Sequence, residues 1–273
     1  MGDEMRIRFF GVRGSIPTPT RDNLRYGGNT ACLEVWSDAG ARLIIDGGTG
    51  LYSLGAEMLQ QPGDAKFALC LSHFHWDHVQ GIPFFAPMYR PGSACEIYSG
   101  FPVEQTRAAL EGQMAPRHFP VSFGQFSASV SISQLGGVAT EFADTSIRAF
   151  PLNHPGGCWG FRVENGSHSV VYASDLEHGD AEADDTLRRA SEGASVLIYD
   201  AHFTPEEYEQ HRGWGHSSWL EATRLARSAG VRTLVLTHHA PARSDDALDQ
   251  IVERARCEFA ETEAARENWS IEL

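Results

Sequence analysis

Cysteine is sparse in this 273-residue chain and never paired: Cys32, Cys70, Cys95, Cys158 and Cys257 are odd in number and show no Cys-x-x-Cys spacing. That excludes a disulfide frame as the organising device and points to small buried thiols in a reducing compartment. Positive charge is also short, with 22 Lys and Arg against 36 Asp and Glu and a formal charge of −14. A net acidic field repels phosphate backbones, so a polyanion clamp is disfavoured, and only a local basic patch stays open. No apolar run approaches a membrane span, and the opening Met1-Gly2-Asp3-Glu4-Met5-Arg6 holds no signal-peptide core. The expected location is the cytoplasm. Internal repeats, coiled-coil heptads and flexible linkers are missing too, so residues 1–273 are expected to form a single domain. Its 42% apolar content suffices for a large core.

What is present is concentrated in one stretch, Leu69-Cys70-Leu71-Ser72-His73-Phe74-His75-Trp76-Asp77-His78. A short apolar run, readable as a buried strand, ends in three histidines and an aspartate, residue types that seldom crowd together for packing. His73 and His75 can aim one way and Asp77 and His78 another, which suits two ions. Imidazole and carboxylate donors favour zinc, with manganese or iron as softer alternatives.

The same strand-then-polar logic recurs along the chain. A strand over 5–10 meets a Gly/Pro loop, and strands over 31–36 and 42–45 lead to Asp46-Gly47-Gly48-Thr49-Gly50, where Asp46 fits a turn as well as a site. A helix over 51–59, with Leu51, Leu54, Met58 and Leu59 inward, precedes a strand over 67–71. The proline-broken 81–89 reads as core, 94–98 as a strand and 103–111 as a helix. Residues 112–140 read as a packed connection or a lid. Strands over 146–152, 170–174, 196–199 and 231–237 end at His154, Asp175, Asp200 and the pair His238-His239. Each is weak singly, and their joint occurrence raises the odds of one shared site. A helix over 217–229, capped by Ser217 or Ser218, leaves His216 at a helix N-terminus, a place suited to an anion. A last helix begins after Ser244 with Leu248, Ile251, Val252 and Ala255 on one face.

Taken together, these motifs resemble the metallo-β-lactamase superfamily, nearer to its RNase Z and cyclic-phosphate phosphodiesterase branch than to the lactamases. Gly11-Val12-Arg13-Gly14-Ser15-Ile16-Pro17 with Gly28-Asn29-Thr30 is similar to that branch's first loop. Leu43-Ile44-Ile45-Asp46-Gly47-Gly48 is similar to the first aspartate motif, and His73-Phe74-His75-Trp76-Asp77-His78 to the second motif. The resemblance implies an α/β protein, a four-layer αββα sandwich. By the same resemblance His73, His75 and His154 hold one ion, Asp77, His78 and His238 hold a second, and Asp175 bridges them. Adjacent side chains on a strand face opposite ways, so His238 and His239 cannot both enter, and His238 is preferred. Gly213-Trp214-Gly215-His216-Ser217-Ser218 is similar to the branch's His-Ser-Thr element, which assigns His216 to the scissile phosphate and Asp200 to orienting it. Arg13 and His178 are looser candidates for substrate contact, with surface solvation the commoner explanation.

The resemblance therefore implies a hydrolase with two divalent ions, most simply zinc. It would cleave a cyclic nucleotide or small phosphodiester through a metal-bridging hydroxide, with Asp77 and His216 catalytic and Asp46 and Asp200 supporting. RNase Z enzymes carry a long Gly/Pro-rich arm between the third and fourth motifs, whereas here one short hairpin separates His154 from Asp175, which argues against tRNA as substrate. Hydrolysis of a lactone, thioester or β-lactam, and a non-catalytic metal- or nucleotide-binding module, are the alternatives. Relatives in the branch suggest a homodimer, and no membrane partner is expected.

Overall fold

The computed structural model describes residues 4–37, 40 and 42–273. Its first half runs β1 (Met5–Gly11), β2 (Cys32–Ser37), β3 (Arg42–Ile45), α1 (Leu51–Gln60), β4 (Lys66–Leu71), α2 (Trp76–Val79), β5 (Ala94–Ser99), α3 (Val103–Gln113) and β6 (Ser129–Gln134). The second half runs β7 (Thr140–Phe142), β8 (Thr145–Leu152), β9 (Cys158–Asn165), β10 (His168–Ala173), α4 (Ala181–Ala190), β11 (Val196–Asp200), α5 (Pro205–Tyr208), α6 (Trp219–Ala229), β12 (Thr233–Thr237), α7 (Asp245–Glu258), β13 (Thr262–Ala264) and β14 (Ser270–Glu272).

The strands form two seven-stranded sheets, ordered β14-β1-β2-β3-β4-β5-β6 and β13-β12-β11-β10-β9-β8-β7. Side-chain alternation explains the layering. Along β4, Ala68 and Cys70 face the other sheet, while Phe67, Leu69 and Leu71 face the helices. Between the sheets, Ile7, Val35 and Ile45 from one meet Phe161, Val170 and Val235 from the other. Outside the second sheet, Val171, Leu197 and Leu234 pack under Leu187 of α4, Ala222 of α6 and Ile251 of α7. Outside the first, Ile44 and Leu69 pack under Leu54 of α1 and Leu110 of α3. Helix, sheet, sheet and helix follow in that order, the expected αββα sandwich.

Helix ends follow local chemistry. Ser218 and Ser244 accept hydrogen bonds from the backbone N–H groups of Glu221 and Ala247, and Gly230 closes α6 in the left-handed region at φ 64°. Three readings change in detail. Leu59 is 45% exposed rather than inward, and Cys257 is exposed, unlike the other four thiols. Residues 112–140 form a packed connection that contains β6: Met114 and Phe123 are buried, while Pro116, His118 and Pro120 face solvent.

Candidate active site

Parallel pairing of β3, β4, β10, β11 and β12 sends their carboxyl ends to one edge of the sandwich, where crevices in α/β sheets form. Asp46 follows β3, His73 follows β4, Asp175 lies just past β10, Asp200 ends β11 and His238 follows β12. Asp46, Asp175 and His238 adopt left-handed φ angles of 61°, 57° and 59°. A non-glycine residue in that region costs ~1–3 kcal/mol, and here the bend turns each side chain off its strand into the crevice. It also separates the adjacent histidines. His238 faces the cluster, whereas buried His239 turns away to donate from Nε2 to Ala265 O at 2.9 Å.

The predicted residues converge. Donor atoms of His73, His75, His154 and Asp175 lie within 4.8 Å of one another, as do those of Asp77, His78, Asp175 and His238. Asp175 belongs to both sets: its Oδ2 is 3.2 Å from His73 Nε2 and 3.4 Å from His78 Nε2, and its Oδ1 is 2.7 Å from His238 Nε2. Asp77 Oδ2 lies 3.2 Å from His238 Nε2 and accepts the Ser15 N–H at 2.7 Å. His154 Nδ1 donates to Gly215 O at 2.8 Å, which turns Nε2 inward to 3.2 Å from His75 Nδ1. Of the seven donor residues in these two sets, all are buried except exposed His75 at the rim.

Electrostatics follow from burial opposed by neighbouring charge. Burial and His78 hold His73 down to about 4 against the pull of Asp175, so its ring is neutral and free to donate a lone pair. Burial resists charge on His238 also, but Asp175 and Asp77 outweigh it and raise the ring to about 10. His78 rises for the same reason. Asp175 and Asp77 stay ionised despite burial, because His238 and His78 face them. Protons thus balance the carboxylates where cations can. The donor set fits divalent ions on a second count: His73 Nε2 is buried in the centre of the cluster without forming a hydrogen bond, an arrangement that a metal bond resolves.

Around this centre lie bracing groups. Asp46 receives the Ser72 N–H and hydroxyl, the Tyr172 hydroxyl and His78 Nδ1, all at 2.8–2.9 Å, which fixes the ring so that Nε2 points at the cluster. Asp200 Oδ2 lies 2.9 Å from His216 Nδ1. Burial opposes charge on His216, and the Asp200 carboxylate more than offsets it, raising the pKa.

Several residues differ from expectation or were not anticipated. Arg13 is neither solvated nor a substrate contact: fully buried, it donates to Gly27 O, Ala240 O and Arg243 O and so ties the first loop to the β12 end. His178 is half-buried and bonds Ser217 Oγ at 2.8 Å. His202 was missed. Its ring stacks on His216 at 4.4 Å and 16°, and its Nδ1 donates to His238 O. The signal was there, two residues past Asp200 at the end of β11. The donors of His202, His216 and His238 also lie within 4.8 Å of one another.

Residues 41–239 match the family model described as the beta-lactamase superfamily domain. The chain is 27% identical over 241 residues to the probable metallo-hydrolase YhfI of Bacillus subtilis, covering 86% of each. It is 25% identical over 304 residues to the ribonuclease Z of Haloarcula marismortui, covering 93% of this chain and 92% of that one. The crystal structure of YhfI superposes with a TM-score of 0.75 over 100% of both chains at 22% identity. A diphosphatase from the PhnP family does so with 0.72 at 17% identity, over 99% of this chain and 97% of that one. The chain therefore belongs to the beta-lactamase superfamily and has the metallo-β-lactamase fold, with metallo-hydrolases among its relatives.

Proposed function

We propose that the chain is a metal-dependent phosphodiesterase acting on a cyclic nucleotide or similar small phosphodiester. The observation that carries this reading is the pair of donor sets joined at Asp175, with the His216–Asp200 pair beside them. His73, His75, His154 and Asp175 would hold one ion, and Asp77, His78, His238 and Asp175 the other. The mixture of imidazole and carboxylate suits zinc. Divalent ions there supply Lewis acidity, lowering the pKa of water and neutralising charge on phosphodiester oxygens.

The remaining work falls to the chain's own groups. Asp77 is ionised, and its carboxylate, held by the Ser15 N–H on Oδ2, would accept a hydrogen bond from the attacking water and direct it. His216 keeps a proton to higher pH than an ordinary imidazole. With Nδ1 committed to Asp200, Nε2 donates to the leaving oxygen, which could not depart easily as an alkoxide. Only the β9–β10 hairpin lies between His154 and Asp175, which supports a small substrate rather than tRNA. The names ribonuclease Z and diphosphatase among the relatives favour phosphorus over carbonyl chemistry.

Metal content per chain, measured with a panel of bis-p-nitrophenyl phosphate, cyclic nucleotides, lactones and thioesters, tests the proposal. Two ions per chain and turnover of the phosphodiesters are expected. At most one tightly held ion, or turnover confined to lactones and thioesters, overturns it.

A further inference from the structure

A cavity of about 400 Å³ opens beside His216 and is lined by Ser15, His202, Phe203, His211, Trp214 and Arg243 among others. We propose that it is a subsite for an uncharged planar ring, the nucleobase or aryl group of the substrate, with Trp214 as the stacking platform. This rests on the phosphodiesterase reading, since it places the phosphate at the histidine and aspartate cluster.

Trp214 is 63% exposed, an unfavourable setting for an indole, yet its backbone is held firmly. The N–H groups of Gly213 and Gly215 donate to the Glu177 carboxylate at 2.7 and 2.9 Å, and the Trp214 N–H donates to His211 O at 3.1 Å. Gly213 and Gly215 both have positive φ, 86° and 82°, so the loop turns sharply on either side of the indole. The ring is steadied as well. It meets His211 edge-on at 4.8 Å, and His211 stacks on buried Phe203 at 4.8 Å and 17°. An exposed aromatic on a fixed support is the form that base-stacking platforms take, tolerant of the base because every base has a π-face.

The loop is also joined to the candidate chemistry. Gly215 O receives the hydrogen bond from His154 Nδ1, and His216 is two residues from Trp214. Charge decides what sort of group fits. Arg243, the guanidinium lining the cavity, is already paired with Glu207 and donates to His202 O. It is not free to neutralise a second phosphate, and the Glu207 carboxylate would repel one. A neutral ring suffers neither penalty.

The test is calorimetric binding of adenosine 5′-monophosphate and ribose 5-phosphate to the metal-loaded protein. Wild type should bind the nucleotide at least about tenfold more tightly. Trp214→Ala should weaken the nucleotide by about tenfold and leave ribose 5-phosphate within about twofold, and Trp214→Phe should restore most of the difference. Equal affinities in wild type, no binding of either ligand, an unchanged nucleotide affinity in Trp214→Ala, or equal weakening of both ligands each overturns the subsite. Turnover of the phosphodiester panel is scored separately. Hydrolysis without base discrimination removes the subsite alone, and discrimination without hydrolysis removes the phosphodiesterase reading alone.

Discussion

Two glycines beside the donor sets allow the two candidate ion positions to be disturbed one at a time. A Cβ on Gly14 would lie 2.4 Å from His238 Cε1 and 2.5 Å from Nδ1. Gly14 is not among the residues with positive φ, so Gly14→Ala leaves the backbone unstrained and the whole conflict falls on the imidazole. Ordinary carbon contacts need about 3.5 Å or more, so the ring must retreat by roughly 1 Å. It has little room: His238 is 1% exposed and packed against His216, His202 and His78 at ring separations of 5.0, 5.5 and 5.4 Å. A ligand nitrogen must hold its distance to within about 0.2 Å, and a 1 Å misplacement costs about 100-fold in rate. Gly14→Ala is therefore expected to lose one of two ions on dialysis and about 100-fold in kcat/KM on bis-p-nitrophenyl phosphate.

Gly215→Ala strikes the other set, since its Cβ would lie 2.4 Å from His154 Nδ1. It should lose the other ion, with added backbone strain at φ 82°. Gly112→Ala in α3, whose Cβ would meet nothing within 4 Å, is the control. It should retain both ions and full turnover, and gain ~0.5–1 kcal/mol of stability from helix propensity. Inductively coupled plasma mass spectrometry on the purified variants, with kcat/KM, reads all three. If Gly14→Ala held both ions and turned over within twofold of wild type, His238 would not be a ligand and the two-set reading would fail.

Three further outcomes follow from the charges. In Asp200→Asn the proton on His216 loses its stabilising carboxylate and is shed at lower pH, so the alkaline limb of the kcat/KM profile should move downwards; an unmoved limb removes His216 as the acid. His239 is held down to about 3 by burial and by Arg13, against its hydrogen bond to Ala265 O, whereas the unfolded chain takes up that proton near 6.5. Its contribution is complete above pH 6.5 and falls as pH drops towards 3, by ~2 kcal/mol at pH 5. Chemical denaturation of metal-free His239→Gln should therefore show a smaller loss between pH 8 and pH 5 than wild type by about that amount, and identical losses refute the assignment. Because His238 keeps its proton to about 10 and His78 is raised as well, metal uptake at pH 8 should release protons. Calorimetry in buffers of different ionisation enthalpy measures this, and enthalpies independent of buffer would contradict it.

Much of this protein is local, and local structure is written in residue order. The unbroken apolar run Phe67 to Leu71 determined a strand buried on both faces, and the serines at 217–218 and Ser244 marked helix starts because a side-chain oxygen satisfies a free N–H three residues on, the structure choosing Ser218 over Ser217. Polar residues at strand ends disclosed which donors could meet. By contrast, β6, with its exposed Ser131 and Ser133, and the short β13 and β14 carry too little apolar pattern to be read, and exist because an edge offers them hydrogen bonds. Only the packed sandwich decided that Asp175 reaches both donor sets and that a left-handed bend turns His238 inward and sends His239 to Ala265. The same packing buries Arg13 as a strut and places Trp214 and His216 on one cavity. Those outcomes depend on the separation of strand ends belonging to different sheets, a distance set by side chains filling the layer between them.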